Sequence, residues 1–88
     1  MKTVLTAMPY AQATVYRNPN RITLVSYKTT VAEIIGGVLI VYGLYSMTTR
    51  RHISAFVREY ANTDYAIAKD CYIKGIGYDI VTHQWVEL

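Results

Sequence analysis

Hydrophobic positions follow a strand-like pattern between residues 21 and 42. Residues 21–27, 31–35 and 38–42 are rich in apolar, β-branched and aromatic residues. Turn-forming residues lie at the ends of these segments, as is typical of β-strands. Gly36 and Gly37 separate the last two segments. A Gly-Gly pair supplies the positive φ angles of a tight type I′ turn, so the pattern predicts a β-hairpin preceded by a third strand.

The alternation of side chains divides this predicted hairpin into two faces. The first face carries Ala32, Ile34, Leu39 and Val41, with Ile34 opposite Leu39 and Ala32 opposite Val41. The second face carries Val31, Glu33, Ile35, Val38, Ile40 and Tyr42. This second face is unusually apolar for a surface in water, and such patches often mark interaction sites. Either the N-terminal segment or another chain covers it, and we favour the segment because it has to pack somewhere.

Two helices are predicted after the hairpin. Ser46 is a natural N-cap for a helix over residues 47–60, and Asp64 caps a second helix over residues 65–74 that ends at Gly75. The apolar stripe of the first helix has helical spacing and consists of Thr49, Ile53, Phe56, Val57 and Tyr60. The apolar face of the second helix consists of Ile67, Ala68, Cys71 and Tyr72. Both stripes are expected to lie on the sheet.

The two ends of the chain have weaker patterns. Residues 1–20 keep no steady period, and we predict an irregular N-terminal arm with a short edge strand around residues 13–16. Residues 78–88 predict a strand or a short hairpin around residues 82–84. The fold class is therefore α+β, a small antiparallel sheet of three to five strands with two helices packed on one face. Because 88 residues support one core, residues 21–88 are predicted as a single compact domain.

The composition is that of a folded protein, with 52% hydrophobic and 17% charged residues. The net charge of +3 is uneven, because residues 1–58 hold seven basic residues and one acid, whereas residues 59–88 hold two and five. Such a basic region attracts nucleic acid, an acidic protein patch or anionic lipid. The longest apolar stretch, residues 34–45, is 12 residues long, well below the ~20 that a transmembrane helix needs. The apolar run of residues 4–8 is too short for a signal peptide.

The sequence contains no pattern typical of an enzyme, metal or cofactor site. Cys71 is the only cysteine, which excludes an intramolecular disulfide and favours a reducing, intracellular setting. His52 and His83 have no second cysteine or acidic cluster nearby, so they are interpreted as a half-buried structural residue and a loop residue. The five glycines form no phosphate-binding loop. We therefore predict a non-enzymatic protein without metal or cofactor.

The first helix carries a basic ridge on the side opposite its apolar stripe. Arg50, Ser54 and Arg58 follow one another at four-residue spacing, with Arg51 beside them. Such a ridge is either a solvated surface or a site for an acidic protein or nucleic acid. Aromatic residues do not alternate with these arginines, as they do in single-strand binders. The predicted partner-binding residues are Arg50, Arg51, Ser54 and Arg58 of the helix and Val38, Ile40 and Tyr42 of the hairpin.

The run GLYSMTTRRHISAFVREY, residues 43–60, together with residues 24–27 and 31–32, resembles a family of small uncharacterised proteins encoded by phages and mobile elements of Gram-positive bacteria. The resemblance covers about residues 22–74, and the tyrosine-serine-threonine-threonine junction appears there with the helix stripe. The hairpin is more apolar than the family pattern at Val38 and Ile40, and the N-terminal arm falls outside it. The resemblance implies a phage-type accessory protein in the bacterial cytoplasm, and it transfers no active residues.

Three functions follow as hypotheses. Compact phage proteins without enzymatic motifs often bind and block a host or defence component, an anti-CRISPR being one example, so the first is an inhibitor or modulator of a bacterial protein. The second is a basic nucleic-acid-binding accessory module. The third is a homo-oligomer formed through the apolar hairpin face.

Overall fold

The structure is a computed structural model that describes residues 2–4 and 12–88. In these residues one antiparallel sheet contains seven strands, whose order in the sheet is their order along the chain. The strands are β1 Lys2–Val4, β2 Ala13–Asn18, β3 Arg21–Ser26, β4 Thr29–Ile35, β5 Val38–Val41, β6 Gly77–Asp79 and β7 Gln84–Val86. The helices α1 Met47–Tyr60 and α2 Tyr65–Lys74 lie between β5 and β6 in the chain.

The predicted α+β class is confirmed, with an antiparallel sheet and two helices. The predicted count of three to five strands is too low, because the stretch 12–88 alone contains six. β2 pairs with β3 through six residue pairs, and β1 pairs with β2, so both strands of the predicted arm belong to the same sheet. The predicted packing of the arm over the second hairpin face concerns residues that lie partly outside the described ones.

The hairpin of β4 and β5 has the predicted turn and register. Gly36 and Gly37 have φ angles of 56° and 81°, which only glycine adopts freely. Ile34 pairs with Leu39 and Ala32 with Val41, as the alternation predicts.

The prediction for Val31 is wrong, because this residue is buried in the core and not on the second face. Its neighbour strand explains the difference. Leu24 of β3 pairs with Ala32 whereas Val25 pairs with Thr30, so Val31 is an extra residue in a β-bulge. A bulge bends its strand and re-aims the side chain, and here that turns Val31 inward.

The core lies between the sheet and the two helices. The sheet contributes mainly Ala13, Val15, Leu24, Ala32, Ile34, Leu39 and Val41, and the helices contribute Ile53, Phe56, Val57, Ala68 and Cys71. Burial of apolar area of this kind, at about 25 cal/mol per Å², is the main stabilising contribution to such a fold.

The predicted bounds and caps of both helices are confirmed. Ser46 Oγ accepts a hydrogen bond from the Thr49 amide at 3.2 Å, and Asp64 Oδ1 accepts one from the Ile67 amide at 3.2 Å. Tyr72 was predicted on the apolar face of α2 but is 45% exposed, because α2 fully buries only a narrow stripe formed by Ala68 and Cys71.

The C-terminal hairpin of β6 and β7 extends the sheet beyond β5, with β6 paired to β5. Gly77 lies where a β-carbon would stand 2.5 Å from Val38 Cγ1, so any larger residue at this strand position would force Val38 to shift. Among the described residues, neither helix has the length and hydropathy needed to cross a membrane.

Candidate functional site

The predicted partner-binding residues lie on two opposite surfaces of the molecule. Arg50, Arg51, Ser54 and Arg58 lie on α1, away from its buried stripe. Val38 and Ile40 alternate with the core residues of β5 and therefore point to the other side of the sheet, which we call the open sheet face. Because the sheet separates the two sets, they do not form one continuous site.

On the helix side, Arg50, Arg51 and Ser54 are brought together with Met47 and Tyr65 around a cavity of about 320 Å³, here called the helix groove. Met47 is 67% exposed, so the groove presents a thioether beside two guanidinium groups. None of the described residues that line it is acidic. Arg58 does not line the groove, because it lies one turn beyond Ser54 along α1. Its Nε donates a 3.3 Å hydrogen bond to the Ser54 carbonyl oxygen.

Sequence reasoning missed Met47 and Tyr65 as members of this surface. Met47 stands three, four and seven residues before the three ridge residues of the groove, so helical spacing alone would have included it. Tyr65 is the first residue of α2 and joins the groove only because the two helices pack together. No local signal in the sequence indicates that approach.

A second cavity, here called the polar pocket, lies where the start of α1 meets the turn between β3 and β4. Its volume is about 280 Å³, and it is lined by Gln12, Tyr27, Thr48, Arg51 and His52. Arg51 therefore belongs to both the helix groove and the polar pocket.

His52 is more buried than the sequence predicted, with no exposed surface. Its Nδ1 lies 2.8 Å from Ser26 Oγ, which in turn lies 3.1 Å from Thr49 Oγ1. Burial lowers the pKa of the His52 imidazole below its ordinary value. Ser26 is 2% exposed and does not line the polar pocket, so this serine and histidine tie β3 to α1 inside the core.

The open sheet face contains a hydrogen-bonded cluster around Glu33, which is 8% exposed. Glu33 accepts hydrogen bonds from Thr23 Oγ1 at 2.7 Å and from Tyr42 OH at 2.6 Å, and Arg21 Nε lies 3.6 Å from it. Burial, reinforced by Glu33, raises the pKa of Tyr42 to about 12. Tyr42 was predicted as a partner-binding residue, and its hydroxyl is engaged within the chain.

A third cavity, of about 420 Å³, lies at the end of the sheet where the turns after β2 and β4 meet Ile80. Arg17 and Arg21 line it, yet both are engaged by neighbours. The Arg17 guanidinium lies 5.5 Å from the centre of the Tyr60 ring, and Arg21 lies beside Glu33.

The described part of the chain brings no three histidine, cysteine or acidic side chains together as a metal site would require. His83 Nδ1 lies 3.1 Å from the Tyr78 hydroxyl, in the turn before β7. Cys71 is buried, and burial, followed by the charge of Asp70, raises the pKa of its thiol to about 11. The Cys71 thiol donates a long hydrogen bond to the Leu39 carbonyl oxygen, with 3.9 Å between Sγ and the oxygen.

The chain belongs to a family of unknown function, DUF8033, whose sequence profile matches residues 3–73. This match includes the sheet from β1 to β5, α1 and nearly all of α2, and so both cavities next to α1. A search of curated proteins gave no match, and a search of solved structures gave none either.

Proposed function

We propose that this member of the family is a small non-enzymatic interaction protein that binds a bacterial protein through the helix groove and inhibits or modulates it. The observation that carries the proposal is the groove itself, where exposed Met47 lies beside Arg50, Arg51 and the Tyr65 ring. Methionine, arginine and tyrosine are the residue types enriched at protein interfaces.

The charge of the groove favours an acidic segment of the partner. Two guanidinium groups line it without a neutralising acid among the described lining residues. Arginine binds carboxylates through paired, charge-assisted hydrogen bonds, and Arg58 extends the positive charge one turn further along α1. Met47 and the Tyr65 ring would contact apolar side chains beside those carboxylates.

The nature of the target rests on the resemblance of residues 43–60 to phage-encoded proteins. On that basis we place the protein in the cytoplasm of a bacterial host, acting on a host or defence protein as an anti-CRISPR does. The resemblance supports this part of the proposal, and the groove supports only the binding mode.

Retention of proteins from a bacterial host lysate tests the proposal, with the purified chain and two charge-reversed variants compared. Arg50→Glu reverses a charge in the groove, whereas Lys28→Glu makes the same change in an exposed turn outside it. We expect the wild type and the Lys28 variant to retain the same protein and the Arg50 variant to lose it. Retention by the Arg50 variant at wild-type level would refute the groove as the binding site.

Nucleic acid is the second candidate, and the position of Tyr65 favours it. Single-strand binders combine arginines with an aromatic ring on which a base stacks, and Tyr65 lines the groove with Arg50 and Arg51. This reading predicts binding to DNA or RNA that weakens steeply with salt, with Arg50→Ala and Arg58→Ala each reducing the slope. Retention of bulk nucleic acid alone, lost at moderate salt, would favour it over a protein partner.

A further inference from the structure

The open sheet face is apolar where an antiparallel sheet normally presents polar residues to water. Both helices pack on the other face, and sheets of this kind usually alternate apolar residues inward with polar residues outward. Six outward residues of β2 to β5 and of the position after β5 are instead apolar or aromatic, and all are half-buried or exposed: Tyr16, Val25, Ile35, Val38, Ile40 and Tyr42. Large patches of this kind mark interaction surfaces.

The N-terminal segment widens this face, since β1 and β2 pair edge to edge with the rest of the sheet and do not lie over it. Tyr16 of β2 pairs with Thr23 of β3, which pairs with Glu33 of β4. Glu33 in turn pairs with Ile40 of β5. Because paired residues point to the same side of a sheet, Tyr16 and Ile40 are the two ends of one row across four strands.

The polar groups in this row are already paired within the chain. The two Glu33 oxygens accept hydrogen bonds from Thr23 and Tyr42, and Arg21 Nε lies 3.6 Å from the same carboxylate. Removing the face from water therefore leaves this carboxylate hydrogen-bonded, which keeps the cost of its burial low.

The charges of the face also balance. The outward charged residues of β2 to β5 are Arg21 and Glu33, which form one ion pair. An identical face therefore meets no net repulsion. An acidic protein or a nucleic acid would instead meet an arginine that already has a carboxylate beside it.

The face has the area of a specific interface. Seven strands about 4.8 Å apart span about 30 Å, and β2 to β4, with six or seven residues each, are about 20–24 Å long. The sheet narrows toward its short outer strands, so two such faces bury roughly 1,000–1,200 Å² in total when they stack. This area is close to the lower limit for specific protein interfaces.

We propose that the open sheet face binds the same face of a second copy of the chain, forming a dimer in which two sheets stack about 10 Å apart. A two-fold axis brings identical patches together, which suits a face without net charge. The modest area predicts a dissociation constant in the micromolar range. The helix grooves lie on the other side of each sheet and would face outward on both sides of the dimer.

Analytical ultracentrifugation of the full chain tests the dimer over a concentration range of about 1–500 µM. We expect the mass to rise from that of one chain to that of two. In NMR spectra recorded on dilution, amide shifts should be concentrated in β2 to β5 and small in α1 and α2. The mass of one chain over the whole range would overturn the proposal, as would shifts concentrated in the helices.

Two tyrosines of similar exposure provide the matched pair of variants. Tyr16 on the open sheet face is 42% exposed, and Tyr72 on α2 is 45% exposed. Tyr16→Lys places a charge in the interface and should raise the dissociation constant of the dimer at least about tenfold. Tyr72→Lys should change it less than about twofold. Equal dissociation constants in the two variants would refute this face as the interface.

Ile40→Lys, at the other end of the row, gives a second variant of the face and should weaken the dimer as Tyr16→Lys does. Circular dichroism shows which variants keep the fold. A folded Ile40 variant that dimerises like the wild type would also contradict the proposal.

The dimer is independent of the partner proposed for the helix groove. Arg50→Glu changes the groove on the other side of the sheet and should leave the concentration dependence of the mass unchanged. A groove that retains no partner likewise leaves the ultracentrifugation result unchanged, so the two proposals fail separately.

Discussion

Tyr42 donates a 2.6 Å hydrogen bond to Glu33 on the open sheet face. Glu33 also accepts from Thr23, so one carboxylate joins residues of β3 and β4 to the end of β5. A carboxylate buried to this extent is tolerated because it is hydrogen-bonded. The Glu33 carboxylate therefore connects β3, β4 and the end of β5 through hydrogen bonds on a face that is otherwise largely apolar.

Glu33→Gln should destabilise the protein by about 1–3 kcal/mol, since a charged acceptor with two donors is replaced by an amide that cannot satisfy both in the same way. Urea unfolding at neutral pH measures the change. Glu87→Gln, an exposed residue outside the sheet, is the control and should remain within about 0.5 kcal/mol of the wild type. Equal values for the two variants would contradict the structural role of Glu33.

Alkaline pH should weaken the same contact. In the folded protein the pKa of Tyr42 is raised from 10.0 to about 12. Its contribution to the free energy of unfolding is therefore complete below pH 10 and is lost as the pH rises through about 12. The unfolding free energy should therefore fall between pH 10 and 12, and Tyr42→Phe should reduce that fall. Tyr45→Phe, an exposed tyrosine in the loop before α1, serves as the control and should leave the fall unchanged. A fall that is identical in the wild type and the Tyr42 variant would refute the assignment.

Ser26→Ala should cost about 1–3 kcal/mol of stability, because it removes the partner that Thr49 and His52 share inside the core. Ser54→Ala on α1 is the matched control, and its side chain is only half-buried. Thermal and urea unfolding of both variants give the comparison. If Ser26→Ala were as stable as Ser54→Ala, the Ser26 hydroxyl would not contribute to joining β3 to α1.

Acid should also destabilise the fold through His52. In the folded protein the pKa of His52 lies below the ordinary value of 6.5. Its contribution to the free energy of unfolding is therefore complete above pH 6.5 and is lost as the pH falls through this lowered pKa. The free energy of unfolding, measured from neutral to acid pH, should fall less steeply in His52→Gln. A wild-type slope in the His52 variant would show that other groups cause the acid dependence.

Gly77→Ala should destabilise the protein by about 1–3 kcal/mol, because the new β-carbon would stand 2.5 Å from Val38 Cγ1 and force β5 and β6 apart. Adding Val38→Ala should recover part of the loss, since it removes the crowded atom. A double-mutant cycle measures that coupling. Additive losses would mean that the two residues do not compete for space.

The sequence predicted the elements whose signals are local. Ser46 and Asp64 mark the N-terminal ends of the two helices. The Gly36-Gly37 pair determined the register of the hairpin without reference to the rest of the chain. Each of these features depends on residues a few positions apart, where propensity and hydrogen bonding decide the conformation.

What the sequence did not predict depends on partners that are distant in the chain. Val31 turned inward because β3 shifted register against β4, and the aromatic member of the helix groove came from the neighbouring helix. The three-residue strands β1, β6 and β7 are too short for a clear alternation and are held as strands by pairing. Helical spacing identified the groove arginines, but it could not identify Tyr65 of α2, which completes the groove.

The order of the strands also has a kinetic consequence. Every neighbouring pair in the described sheet is consecutive in the chain, but the β5–β6 pair forms only across the two intervening helices and has two registered residue pairs. Contacts between distant residues form late and contribute less when they are few. We expect this seam to open before the rest of the sheet, leaving the hairpins from β2 to β5 intact. Amide exchange in Tyr78 faster than in Leu24 would be its signature.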